Sequence, residues 1–361
     1  MVSLLSTFLD KSIPENSLQY RCIKALTTSY YSMRASDIRA YEESMRTYSD
    51  ALKGVRFAVA RRPPQLEPDI LMSIMCLCLY ENIIVTRARS WIEHYIAISH
   101  MIEMQGPEYY QTGRNRDILL AFRYTIIVSA GTRRYHCFLA QKRWKSILEP
   151  RETESFNPFD TLLNIAVAVP GLLHDLDSFK NGTLWDERER TRLALRTGDM
   201  LVALQFWREA SLPIWSLDDG SLQRHSHQVA RAIAFHHMVV LLVEDLSYLF
   251  GVPWLPPTSL SLKSTPGLMK ASATTGRAER KHVLATEILR LAELFISDDT
   301  AIYGVLTFIM SLHVAHDNLL QASPEMDAIR HLMNTVMAEQ HGFNMARQYR
   351  GMYKAFENVS L

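Results

Sequence analysis

The sequence predicts an all-α protein, a multi-helix array, on three observations. Apolar residues recur at three- and four-residue spacing through most of the chain, the period that puts them on one face of a helix. Alternating runs of the kind that make half-buried strands are nearly absent. Proline and glycine clusters punctuate the periodic segments, where they remove donors and end helices. At 361 residues the length allows two domains or one large one. The reading here is a single helical domain over 1–361 with a mobile Pro/Ser/Thr-rich loop at about 252–277.

Each element has its own warrant. Ser17 to Arg34 carries Leu18, Cys22, Ala25, Leu26, Ser29 and Tyr30 at helical spacing. Ile38 to Ala60 is expected to bury a stripe of Tyr41, Met45, Tyr48, Leu52, Val55 and Val59, and Pro63-Pro64 stops it. Ile70 to Tyr80 is apolar nearly all round, so it is expected at the centre. Trp91 to Met104 ends at Gln105-Gly106-Pro107; Arg116 to Val128 and Tyr135 to Trp144 follow as helices. Glu149 to Asp160 reads as a loop, and Leu162 to Phe179 as an apolar segment interrupted at Pro170-Gly171. After Asn181-Gly182 a charged helix begins near Trp185, and a long one runs from Gln223 to Phe250. Val252 to Arg277, with four prolines among Ser, Thr and Gly, has too little apolar surface to order itself. Glu279 to Phe295, Thr300 to Asn318 and a final segment from Pro324 towards Gln340 complete the helices.

Composition excludes several classes. Hydrophobic residues at 48% suffice for a large core. Lys+Arg 39 against Asp+Glu 38 leaves a net charge of +1, so direct DNA binding is not expected. Cys22, Cys76, Cys78 and Cys137 are scattered, which argues for a reducing compartment without disulfides. The N-terminus lacks the basic start and long apolar run of a signal peptide, and no uncharged stretch approaches the ~18 residues of a membrane span. The expectation is a soluble protein of the nucleus or cytoplasm, with no membrane association.

Three motifs in fixed order carry a resemblance. They are Asp69-Ile70-Leu71-Met72-Ser73-Ile74-Met75-Cys76-Leu77-Cys78-Leu79-Tyr80-Glu81, then Trp91-Ile92-Glu93-His94-Tyr95-Ile96-Ala97-Ile98-Ser99, then Gln105-Gly106-Pro107-Glu108-Tyr109-Tyr110. Tyr41, Tyr48 and Leu52 precede them at the spacing of a tyrosine-bearing helix. From about Ser44 to Trp144 the chain resembles the helical regulatory region of fungal zinc-cluster transcription factors. Ile98 stands where members often have a small residue, a divergence in packing. The resemblance implies the helical array of that regulatory domain and a role in sensing or regulation. The cysteine-dense zinc cluster that accompanies the region in those regulators has no counterpart here, since each zinc would need four ligands.

Candidate chemistry is sparse. His313, His316 and Asp317 share one helical face and form the sharpest metal candidate, but no second element supplies a further ligand. Neither metal nor cofactor is therefore expected. Asp175 and Asp177 flank Leu176, and Asp218-Asp219 and Asp298-Asp299 read as helix caps. Neither Asp298-Asp299-Thr300 nor Glu244-Asp245-Leu246-Ser247 completes the magnesium-diphosphate motifs of an isoprenoid synthase. Arg133, Arg134, Lys142, Arg143 and Lys145 read as a solvated face. What remains is an apolar cleft lined by Trp91 and Tyr95, with His236, His237 or His313 as polar anchor, for a hydrophobic small molecule or a protein partner. The expected function is a stand-alone ligand-sensing regulatory domain, linked to secondary metabolism. The alternative is a cofactor-free cyclase built on the same fold. The oligomeric state is left open.

Overall fold

The computed structural model describes residues 13–61, 68–87, 90–151, 157–182, 186–211, 227–252, 276–296 and 302–349. Among them every regular element is helical and no strand occurs. The described part of the chain gathers into two compact units. The first comprises Met1–Arg133, Gln141–Leu148 and Asn334–Leu361, and the second Arg134–Ala140 and Glu149–Met333.

In the first unit, α1 (Leu18–Ala35) and α2 (Ile38–Ala60) form an antiparallel pair joined by Ser36 in the left-handed conformation, φ 52°. Ser17 caps α1 by accepting from Tyr20 N–H, and Asp37 caps α2 by accepting from Arg39 and Ala40 N–H. The two helices approach closely through small residues. A Cβ on Gly54 would come 2.7 Å from Leu18 Cδ1. The buried stripe of α2 is accordingly Ser44, Tyr48, Ala51 and Val55, while Tyr41 and Met45 are exposed. That corrects the expected stripe by a rotation: small side chains face α1, and the larger ones stand to the side.

Helix α3 (Pro68–Ile84) is the core of this unit, with Leu71 through Ile84 buried without interruption. It packs against α1, α2, α4 (Ser90–Gln105) and a 3-10 turn at Asn344–Tyr349. Gly106, φ 79°, reverses the chain after α4, and Pro107–Tyr110 forms a 3-10 turn before α5 (Gly113–Thr132). The helix expected over Tyr135 to Trp144 does not form as one piece. Arg134 takes φ 54°, Phe138–Ala140 is a 3-10 turn, and α6 runs Lys142–Leu148; the chain changes unit between Ala140 and Gln141.

The second unit is organised on α10 (His227–Leu249). It packs on α7 (Pro158–Ala166), α8 (Val169–Lys180), α9 (Glu187–Ala210), α11 (Arg277–Phe295) and α12 (Ile302–Asn318). Helix α7 starts inside the expected loop because Asn157 accepts from Phe159 and Asp160 N–H, and Pro158 suits the first helical turn. The break before α8 falls at Val167–Ala168, since Pro170 sits in the first turn of α8 rather than ending a helix. Helix α13 (Pro324–His331) continues as a π-helix, Leu332–Gln340, and the chain returns to the first unit after Met333.

Pro158–Lys180 and Val229–Leu249 are long and apolar enough on average to cross a membrane, although charged residues interrupt both and neither is the uncharged run considered above. Both windows are mostly buried inside the protein, as core helices are. Of the loop expected at 252–277, residues 253–275 lie outside the described residues, as do Asp218-Asp219 and Asp298-Asp299.

Candidate functional site

The motif residues converge on one buried carboxylate in the first unit. Glu81 is fully buried and accepts from Tyr48 O–H at 2.5 Å, Ser90 O–H at 2.5 Å, Thr86 O–H at 2.6 Å and Thr86 N–H at 2.9 Å. These donors satisfy both side-chain oxygens of Glu81 that burial withdraws from water. The phenolic proton of Tyr48 goes to Glu81, so His94, whose Nε2 lies 3.2 Å from the Tyr48 oxygen, donates to that oxygen. Burial lowers the His94 pKa, which keeps the ring neutral for this role. Tyr80 stacks on Tyr48 with ring centroids 4.2 Å apart. The Tyr-Glu and Trp-x-x-His motifs thus tie α2, α3 and α4 together.

Trp91 and Tyr95 belong to this same core. Their rings meet edge to face at 5.3 Å, and Cys78 Sγ lies 3.7 Å from the Trp91 carbonyl. Burial drives the Tyr95 pKa well above its ordinary value, while a hydrogen bond from Asn82 works the other way. The four cysteines are buried and none is in a disulfide, and burial pushes the Cys22 and Cys76 thiols up to about 12. These are packing groups rather than nucleophiles.

The expected anchors His236, His237 and His313 lie in the second unit, so neither unit by itself brings all five candidate residues together. His236 and His237 are 4% and 2% exposed on α10, and His313 is 7% exposed on α12. His236 stacks on Trp207 of α9 at 5.0 Å and donates from Nε2 to the Leu204 carbonyl at 3.3 Å. Desolvation, reinforced by Arg208, lowers the His236 pKa to about 3. His237 and His313 are depressed for the same first reason, burial. All three are neutral imidazoles at physiological pH. Glu244 and Asp245 are held by the basic face of α11: Arg277 lies 2.7 Å from Glu244, and Lys281 lies 2.5 Å from Asp245.

A cluster that the sequence did not single out forms where the start of the second unit meets α8. The ligand-type atoms of His136, His174 and Asp175 lie within 4.8 Å of one another. His136 Nε2 is 3.0 Å from Asp175 Oδ1, and Arg196 of α9 holds Asp175 Oδ2. His174 donates from Nδ1 to the Arg134 carbonyl at 2.7 Å. Asp175 sits inside α8, and its carboxylate serves the His136 and Arg196 side chains. The expected trio His313, His316 and Asp317 does not gather in this way among the described residues; His316 instead faces Asp317 at 3.5 Å. Lys142, Arg143 and Lys145 are exposed, as a solvated face requires.

Comparison with known proteins bears on the family. The chain is 23% identical over 127 residues to an uncharacterised protein of Emericella nidulans, an overlap of 35% of this chain and 27% of that protein. It thus spans about a quarter of the length of that curated relative. No solved structure matches. A family model described as the fungal specific transcription factor domain matches residues 5–243, more than half of the chain, and the chain belongs to that family.

Proposed function

We propose that this chain is a ligand-sensing regulatory domain that takes a largely apolar small molecule, of the kind secondary metabolism makes. The family match over residues 5–243 carries the reading, because membership supports a regulatory role in transcription and with it a nuclear place of work. The match runs from the first unit into α10 and includes His236 and His237. Sensing is assigned to the α9–α10–α12 core of the second unit. A neutral imidazole offers one donor and one acceptor, which suits a hydroxyl or carbonyl on an otherwise apolar ligand. With Nε2 of His236 committed as donor to Leu204, Nδ1 is its acceptor nitrogen. Trp91 and Tyr95 are left to the packing of the first unit.

The test is transcript profiling of a deletion strain in the organism of origin, complemented with wild type, His236→Gln or His313→Gln at matched protein level. A defined transcript set should shift on deletion and return with wild type but not with either variant, while thermal melts of the purified variants stay near wild type. Unchanged transcripts on deletion would remove the regulatory reading. Full rescue by both variants would remove the histidines as anchors and leave a protein partner as the ligand of choice.

A further inference from the structure

We propose that His136, His174 and Asp175 form a site for a single divalent transition-metal ion of the zinc class. The proposal is independent of the ligand-sensing reading and concerns a different part of the second unit. Two imidazoles and one carboxylate are a donor set for such ions, with water completing the shell where the site is open. The His136 side chain is 59% exposed, so the site opens to solvent and has room for that water.

Three features of the surroundings favour a metal over a plain surface ion pair. First, His174 has its Nδ1–H bound to the Arg134 carbonyl, which fixes the tautomer and leaves Nε2 as the nitrogen with a lone pair. An outer hydrogen bond of this type, from imidazole to a backbone carbonyl, is what metal-ligating histidines use. Second, Asp175 is oriented by Arg196 on Oδ2, so Oδ1, which already faces His136 Nε2, is the oxygen turned into the cluster. Third, a side chain at position 171 would collide with the site. A Cβ on Gly171 would stand 2.9 Å from His136 Nδ1 and 3.4 Å from Arg196 Nη2. Glycine here, in the first turn of α8, leaves the room in which the imidazole and the guanidinium sit.

Binding inserts the ion between His136 Nε2 and Asp175 Oδ1. Their direct contact opens, His136 ligates as the neutral imidazole with its one proton on Nδ1, and three donors converge from a separation of up to 4.8 Å to coordination distance. The Arg196 cation stays on the outer oxygen and moderates the affinity, which places the site in the class of exchangeable rather than permanent zinc.

The experiment uses the full chain, stripped with chelator, titrated with Zn²⁺ by calorimetry and with Co²⁺ by visible absorption. One Zn²⁺ per chain is expected, with Co²⁺ giving the d–d bands of a low-coordinate site. His136→Ala and Asp175→Asn should each weaken binding by about tenfold or more. Because His136 is exposed, that variant keeps the helical circular dichroism of wild type. Gly171→Ala should weaken binding without removing a ligand, and His316→Ala should leave it unchanged. Absence of stoichiometric Zn²⁺ binding by wild type overturns the proposal. So does binding by His136→Ala and Asp175→Asn equal to that of wild type, which would make any bound zinc an adventitious surface ion.

Discussion

Single residues in this protein divide by how their polar atoms survive burial. Glu81 does so with donors supplied by the turn that follows it and by Tyr48 on a neighbouring helix. His236, His237 and His313 do so by giving up their charge. That choice has a consequence in acid. The unfolded chain protonates each histidine near pH 6.5, whereas the folded state, with His236 depressed to about 3, does not. The unfolded state therefore binds more protons as pH falls, and stability present above about pH 6.5 is lost on acidification, at about 1.4 kcal/mol per pH unit for each such group. Denaturant midpoints measured at about pH 7.5 and about pH 5.5 should fall towards acid. His236→Gln should flatten that dependence by roughly one proton's worth. An unchanged slope in the variant would mean that the imidazole is not held neutral. Trp91, Tyr95 and the three histidines were all legible as polar or aromatic groups in apolar helices. Which unit each joins was not, because nothing in local spacing encodes it.

At the scale of elements, periodicity located nearly every helix, and it erred where neighbours rather than spacing decide. The stripe of α2 is rotated towards Ser44 and Ala51 because α1 comes close enough to exclude larger side chains. The segment from Tyr135 to Trp144 carries helical spacing yet breaks, since the chain must leave one unit for the other inside it. Helix α3 obeys its sequence: apolar all round, it is buried all round. Met75→Ala there should cost about 2–5 kcal/mol, because the surrounding helices relax only partly into the space left behind. A chemical-denaturation loss below about 1 kcal/mol would place α3 at the periphery and contradict its burial. The motif at Asp69 to Glu81 was legible as a family signature. Its physical content, a carboxylate collecting donors from α2 and from the turn into α4, needed the helices in place.

At the scale of the whole molecule, family membership supports a regulatory role, and the total charge is close to balanced. With Lys+Arg 39 and Asp+Glu 38 there is no cationic excess to release counterions from a duplex. Fluorescence anisotropy with labelled duplex should show no binding at physiological salt, and a tight, salt-steep isotherm would reveal a basic face that the totals conceal. The sequence by itself determined the all-α class, the order of the helices and the central place of α3, which follow from residue types and from neighbours three and four positions apart. The family came from the resemblance carried by the three ordered motifs between Asp69 and Tyr110. Tertiary structure alone decided the partition into two units, the donors around Glu81 and the meeting of His136 with His174 and Asp175. Such meetings depend on how helices distant in sequence pair and rotate against one another, and that is set by packing, which no local pattern records.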